Sequence, residues 1–149
     1  ATTELYTLSL HDALPIFCRS PLAAAMLQQK LPKAVVRSAG IGALSGHPAD
    51  ETVCRIAAEQ GLSLDSHRAA PIDARSTRLA DLILCMEPHH LEAVLTMDPT
   101  ARGKTFLLGH WMSTSIADPY RRPEDVYRNT HQEIATAVST WLERLDPDS

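Results

Sequence analysis

The spacing of polar and apolar positions changes repeatedly along the chain from residue 20 onward. Short continuous apolar runs predict buried strands, whereas apolar residues that recur every three to four positions predict helices. The predicted strands lie within residues 34–40, 79–86 and 104–111. The predicted helices cover residues 20–31, 47–62, 88–97 and 123–145. Because a helix follows each strand, the pattern predicts an α/β fold with a parallel sheet.

Proline and glycine mark the ends of these helices. Pro21 opens the first helix and Pro32 follows its end, since proline is tolerated in the first turn of a helix but not in its interior. Gly61 is placed to end the second helix. The last helix carries one apolar stripe, which we expect in the core: Ile134, Val138, Trp141, Leu142 and Leu145.

The helix that begins near Ser20 has no convincing strand ahead of it. Residues 5–10, LYTLSL, alternate as a strand would. Residues 11–16, HDALPI, must then bridge that strand to the helix, with Pro15 where an anion-binding turn needs bare backbone amides. We therefore expect the first strand of the sheet to be replaced or degraded.

Composition narrows the class of protein. A chain of 149 residues that is 44% hydrophobic fits one domain. Its net charge of −4 comes with scattered basic residues, which excludes a nucleic-acid stripe and a polybasic membrane patch. No apolar run or leader indicates a membrane or secreted protein, so the expected location is the cytoplasm. The three cysteines lack C-x-x-C spacing and His89 adjoins His90, so we expect neither a disulfide framework nor a metal site.

Arg19, Ser20 and Pro21 lie at the predicted start of the first helix. Backbone N–H groups at a helix start and a guanidinium can together surround a tetrahedral anion. The alternative is an ordinary Ser-Pro helix start whose arginine pairs with a surface acid.

Asp118, Pro119 and Tyr120 follow a predicted strand and a polar loop. They should lie at the carboxyl edge of the sheet, where open α/β sheets bind ligands, and an aspartate there can protonate a leaving oxygen. The alternative is a common turn in which the aspartate bonds to its own backbone.

Several longer motifs occur in order and at the right spacing over residues 17–145: CRSP, SAGIGALSGHPAD, GLSLDSHRA, ADLILCMEPHH and the terminal DPY with its helix. In this the chain resembles the bacterial branch of the low-molecular-weight protein tyrosine phosphatases. The resemblance implies a three-layer fold, with a four-stranded parallel sheet and helices on both faces. It also implies hydrolysis of phosphotyrosine through a cysteinyl-phosphate intermediate, without metal or another cofactor.

The resemblance gives roles to residues near the predicted anion site. Arg19 matches the arginine that grips the phosphoryl oxygens and stabilises the transition state. Asp118 matches the general acid that later activates water, and Ser20 the hydroxyl that stabilises the thiolate. Ser38 and His67 match positions that brace the phosphate-binding loop.

Two further positions concern the substrate. Tyr120 matches one wall of an aromatic slot. Leu44 stands where some relatives have an aromatic wall. In having an aliphatic residue there, the chain resembles the branch of the family that dephosphorylates bacterial tyrosine kinases governing exopolysaccharide export. The resemblance therefore implies a phosphotyrosine protein, such as one of these kinases, as partner.

The nucleophile of that family is missing. Its loop usually reads C-x-G-N-I-C-R, which places the attacking cysteine at Ala13 and aligns Cys18 with the second cysteine. Leu14, Pro15 and Ile16 depart from the loop as well. Removing the nucleophile of a hydrolase can lower the rate by a factor on the order of 10⁶. We expect the chain as written to be inactive.

Residues 6–16, YTLSLHDALPI, are the translation of a common sequencing-library adapter, and Phe17 fits a junction codon. We therefore expect residues 1–16 to be non-native and residues 17–149 to form a single phosphatase domain. One alternative is a pseudophosphatase that binds phosphotyrosine peptides through Arg19. Arsenate reduction, which needs further cysteines on a mobile segment, is less favoured because Cys85 is alone in an apolar strand.

Overall fold

A computed structural model of the chain describes residues 7–12, 19–40, 50–64 and 73–145. Within these residues, four parallel strands form one sheet in the order β2-β1-β3-β4. The strands are β1 (Thr7–Asp12), β2 (Val35–Gly40), β3 (Leu82–Cys85) and β4 (Thr105–Leu107). The parallel sheet predicted from the alternation of strands and helices is confirmed.

The described α-helices are α1 (Ser20–Lys30), α2 (Glu51–Glu59), α3 (Ala74–Leu79), α4 (Pro88–Met97) and α5 (Glu124–Leu142). Two 3₁₀ helices cover Pro99–Lys104 and His110–Met112. Helix α2 begins after Asp50, whose side chain accepts hydrogen bonds from the backbone N–H groups of Thr52 and Val53. Residues 47–49 of the predicted helix lie outside the described residues.

The predicted strand over residues 104–111 was too long. Strand β4 ends at Leu107, and the chain then turns into the 3₁₀ helix His110–Met112. Gly109 lies so close to the following segment that a Cβ atom on it would be 2.4 Å from the carbonyl oxygen of Thr114. The chain folds back tightly at this glycine, which an extended strand would not allow.

Strand β1 fills the central place in the sheet. It pairs with β2 from Thr7 opposite Val35 to Asp12 opposite Gly40, and with β3 on its other side. Leu8 and Leu10 are buried in the core, as the alternation of LYTLSL predicts. The strand extends through Asp12, although the sequence assigned residues 11 and 12 to a bridging segment; pairing on both sides satisfies backbone groups that would otherwise be lost in the interior.

The sheet is covered on both faces. The larger cluster of buried residues joins Leu10 and Leu84 to the apolar sides of α1, α2 and α5, including Ile134 and Trp141. A smaller cluster packs Ile83 and Cys85 against Val94 and Ala101 on the opposite face. Neighbouring residues of β3 thus point into different layers, and the three-layer arrangement is confirmed. The stripe of α5 also packs as predicted, with Leu142 and Leu145 at its partly buried margin.

An ion-pair network joins α2 to α5 on the face of the sheet that carries the larger cluster of buried residues. Glu124 accepts hydrogen bonds from Arg55 at 2.5 Å and from Arg128 at 3.0 Å, and Arg128 also reaches Glu59 at 2.7 Å. The hydrogen bond from Arg128 lowers the pKa of Glu59, and the one from Arg55 lowers the pKa of Glu124. Over the described ranges, no helix is both long and apolar enough to cross a membrane.

Candidate active site

Arg19 lies immediately before α1 and is fully buried. Its Nη1 atom donates a hydrogen bond to Oε1 of Glu87 at 2.5 Å and a second to the carbonyl oxygen of Ile116. Glu87 follows β3, and Ile116 belongs to the loop after β4. Because the carboxyl ends of parallel strands share one edge of the sheet, Arg19 joins three elements at that edge.

The burial of Arg19 requires compensation, because an unpaired charge in the interior is strongly disfavoured. Glu87 supplies the opposite charge and keeps 28% of its side chain exposed. The backbone N–H of Ile116 donates to the carbonyl of Met86 at 3.0 Å, so the loop that faces Arg19 is itself tied to the end of β3. An acid does pair with Arg19, as one interpretation of the sequence expected, and it lies at the carboxyl edge of the sheet with 28% of its side chain exposed.

Asp118 lies two residues beyond Ile116 and is exposed. Its Oδ1 atom accepts a hydrogen bond from the backbone N–H of Tyr120 at 3.0 Å, which is the aspartate-initiated turn named as the alternative for this tripeptide. The bond from Arg19 to Ile116 places this same turn beside the arginine. The turn named as the alternative is therefore observed, and the role of Asp118 as a general acid stays a prediction.

The turn rests on the packed helices below it. Pro119 is buried and lines a small pocket whose other walls come from α1, α2 and α5: Leu22, Val53, Ile56, Tyr127, Thr130 and His131. Tyr120 is half-buried and packs against the main core. These contacts anchor the two residues that follow the exposed Asp118.

Other predicted site residues are placed unequally. Ser20 is fully buried as the first residue of α1, and Ser38 lies in β2 opposite Leu10. Ala13, Leu44 and His67 lie outside the described residues, so their predicted places in the loop and pocket stay predictions.

Sequence reasoning assigned no role to Glu87, although it lies within the motif ADLILCMEPHH. The available signal was an acid between the end of a buried strand and a proline that opens a helix, a position that faces the carboxyl edge of a parallel sheet. Arg19 and Glu87 are 68 positions apart, however, and a pair so distant leaves no trace in local periodicity.

Glu87, His89 and His90 offer possible metal-ligand atoms within 4.8 Å of one another in the described part of the chain. Two of these groups already have partners: Glu87 accepts from Arg19, and Nδ1 of His90 accepts the backbone N–H of Glu87 at 3.2 Å. His89 keeps 66% of its side chain exposed, and its Nδ1 atom lies 3.8 Å from Oε2, the other carboxylate oxygen of Glu87. The cluster is better explained as the junction of β3 with α4 than as a metal centre.

The described residues include Cys85, whose surroundings do not suit a nucleophile. It is buried in β3, and burial raises the pKa of its thiol to about 12. A thiol with so high a pKa is almost entirely protonated near neutral pH, and the thiolate is the nucleophilic form.

The sequence profile described as low molecular weight phosphotyrosine protein phosphatase matches residues 15–149. This match includes Arg19, Glu87 and Asp118 together with the whole described body after β1. The chain belongs to this family.

Individual phosphatases of the family are similar over nearly their whole length. Low molecular weight protein-tyrosine-phosphatase Etp of Escherichia coli K12 is 40% identical over 129 residues, which are 86% of this chain and 87% of Etp. The crystal structure of tyrosine phosphatase AmsI of Erwinia amylovora has a TM-score of 0.91 and 35% identity, covering 96% of this chain and 95% of AmsI. Wzb of Vibrio vulnificus, solved with benzylphosphonate, has a TM-score of 0.88 and 34% identity over 95% of this chain and 100% of its own. The resemblance inferred from the motifs is confirmed.

Proposed function

We propose that this phosphatase domain hydrolyses protein phosphotyrosine through a cysteinyl-phosphate intermediate, and that the chain as written is inactive because Ala13 occupies the nucleophile position. The observation that carries the proposal is the contact of the buried Arg19 with both Glu87 and Ile116. This contact supports a site in which the guanidinium of Arg19 stabilises the phosphoryl group and Asp118, two residues after Ile116, serves as the proton donor.

The proposed reaction has two steps. A thiolate at position 13 attacks phosphorus, the bond from phosphorus to the phenolic oxygen breaks, and Asp118 donates a proton to that oxygen. Asp118, now a carboxylate, then takes a proton from water as the water attacks phosphorus, which breaks the sulfur–phosphorus bond and regenerates the thiolate. Arg19 stabilises the charge on the phosphoryl oxygens in both steps.

We further propose that residues 1–16 are non-native and that residues 17–149 are the natural domain. The family profile begins at residue 15, which supports a break near this point. Strand β1 is compatible with this origin, because a central strand needs apolar side chains at alternate positions, and Leu8 and Leu10 provide them.

The proposed substrate is a phosphotyrosine protein in the cytoplasm. Benzylphosphonate, the compound bound by Vibrio Wzb, carries a phosphonate on an aromatic group and so shares the chemistry of phosphotyrosine. The aliphatic Leu44 supports a bacterial tyrosine kinase of exopolysaccharide export as the particular partner.

The test is to restore the loop in the full chain. In one version Ala13→Cys, Pro15→Gly, Ile16→Asn and Phe17→Ile rebuild C-x-G-N-I-C-R; in a second, residues 1–17 are replaced by the corresponding segment of Etp. We expect hydrolysis of p-nitrophenyl phosphate to rise by a factor on the order of 10⁶ over the chain as written. The matched control carries Ala13→Ser in the rebuilt loop and should stay near background.

In the restored protein, Asp118→Ala should lower the rate by roughly 10² to 10⁴. The loss should be larger with phenyl phosphate than with p-nitrophenyl phosphate, because p-nitrophenolate departs more readily without a proton. If neither restored version hydrolyses either compound, the proposed function is wrong. Saturable binding of a phosphotyrosine peptide by the unrestored chain, lost in Arg19→Ala, would then favour the pseudophosphatase.

A further inference from the structure

The turn after Asp118 holds an arginine in a backbone conformation that glycine usually occupies. The backbone N–H of Arg122 donates to the carbonyl of Pro119 at 2.9 Å, which closes a four-residue turn. Arg121, the third residue of this turn, has a φ of +63°. A positive φ at this position favours glycine or asparagine and disfavours a long side chain. Arg121 is therefore held in an unfavourable backbone conformation, a feature that is common at functional sites.

The guanidinium of Arg121 lies over the ring of Tyr120, with its Cζ atom 5.2 Å from the ring centroid. A cation within about 6 Å of an aromatic ring is attracted to its face. Tyr120 is itself held in place, because it is half-buried and packs against the main core. The ring therefore keeps the charge of Arg121 beside the turn that presents Asp118.

The charge of Arg121 is available to a ligand. Arg121 is exposed, and in the ranges that the structure describes neither it nor Arg122 forms an ion pair, in contrast to Arg55 and Arg128. Asp118 is the nearby acid in this turn. If Asp118 acts as a general acid it is protonated when the substrate binds, and it then carries no charge that could neutralise Arg121.

We propose that Arg121 is a specificity-determining residue that binds an acidic residue next to the phosphotyrosine of the substrate. This inference rests on the proposed function and on the place that the family resemblance implies for Tyr120, as one wall of the phosphotyrosine slot. A guanidinium against that wall lies at the entrance, where the neighbours of the phosphotyrosine pass, and a carboxylate is its natural partner. The restored enzyme should therefore discriminate between peptides by their charge.

The test compares two phosphotyrosine peptides that differ in the residues flanking the phosphotyrosine, with glutamate on both sides in one and glutamine in the other. The restored full chain should show a kcat/KM about 2- to 5-fold higher for the acidic peptide, as expected for an exposed ion pair. The ratio should fall toward one as salt screens the charge. Arg121→Asn should abolish the ratio, and asparagine tolerates a positive φ, so the turn should persist. Arg121→Lys should keep part of it.

Arg102 offers a matched control. It is exposed, and its 3₁₀ helix precedes β4, which puts it at the opposite edge of the sheet. Arg102→Asn should leave the peptide ratio unchanged. Equal hydrolysis of the two peptides by a restored enzyme that cleaves p-nitrophenyl phosphate would overturn the role of Arg121 and leave the proposed function intact. An equal loss on both peptides in Arg121→Asn would also overturn it, whereas a restored chain that cleaves nothing would overturn both proposals.

Discussion

Strand β1 and the edge site around Arg19 make different demands on the sequence. Strand β1 is enclosed by β2 and β3, and its buried apolar side chains are Leu8 and Leu10. The edge site needs particular atoms: a guanidinium, a carboxylate and one backbone carbonyl within hydrogen-bonding distance. The comparison teaches that a segment of suitable pattern can occupy the centre of a sheet without supplying any of the chemistry at its edge.

The difference has a physical origin. Backbone hydrogen bonds in a parallel ladder are the same for almost any residue, and burial of apolar area is non-directional. A central strand is thus specified mainly by alternation and volume. Stabilisation of a transferring phosphoryl group depends instead on charges and donors fixed in one geometry, and a side chain of similar shape cannot replace a nucleophilic atom.

The largest effect on stability should come from β1 itself. Leu10 is fully buried between the sheet and the helices, so Leu10→Ala should lower the free energy of unfolding by about 2–5 kcal/mol. Leu10→Ile conserves volume and should cost less than about 1.5 kcal/mol. Urea unfolding followed by circular dichroism measures both.

Leu79→Ala is the matched surface control, because Leu79 is 62% exposed. If Leu10→Ala were no more destabilising than Leu79→Ala, β1 would not fill the sheet and the comparison with the edge site would fail. A large cost for Leu10→Ile would instead mean that β1 is specified by more than pattern.

A smaller effect should come from the edge site. Glu87→Ala removes the carboxylate that compensates the buried Arg19 and should lower the free energy of unfolding by about 1–3 kcal/mol, the range for leaving a buried polar group without its partner. The larger loss of stability that follows from breaking a fully buried ion pair is not expected, because 28% of the Glu87 side chain is exposed. Glu92, an exposed acid on the helix α4 that follows Glu87, is the control, and Glu92→Ala should change stability far less. Equal effects of the two substitutions in urea unfolding would show that Glu87 does not hold Arg19.

Hydrophobic periodicity and the positions of proline were sufficient to predict helix α4, but they did not predict helix α3 or the end of strand β4. Helix α4 spans the predicted residues 88–97, because Pro88 fixes its start and its apolar positions are regular. Helix α3 was missed, since its six residues are too few to show a periodic stripe and a capping box between Asp73 and Ser76 defines its start instead. Strand β4 was predicted too long because apolar residues continue after its last residue, Leu107, at Leu108 and Trp111.

The candidate site was predicted from motifs rather than from periodicity. Their order identified Arg19 and Asp118, but the partner of Arg19 depended on a contact between residues far apart in the chain. The conformation of Arg121 was also inaccessible, because the sequence Tyr-Arg-Arg contains none of the glycines that usually announce a positive φ. The first feature needs the folded sheet, and the second needs the closed turn from Pro119 to Arg122.

The smallest expected effect concerns the support beneath that edge. His131 is half-buried on α5 and lines the same pocket as Pro119, and its Nδ1 atom is buried without a hydrogen-bond partner among the described residues. Burial, and secondly the charge of Arg128, lower the pKa of His131 below its ordinary value of 6.5. The folded protein therefore binds fewer protons at His131 than the unfolded chain does.

The free energy of unfolding should be fully retained above pH 6.5 and should decrease as the pH falls from 6.5 toward the folded-state pKa of His131. His131→Gln should reduce this decrease in urea titrations. An unchanged pH dependence in His131→Gln would mean that the pocket beside Pro119 tolerates the imidazolium. The residues that support the edge site would then be specified, like those of β1, by apolar pattern and volume alone.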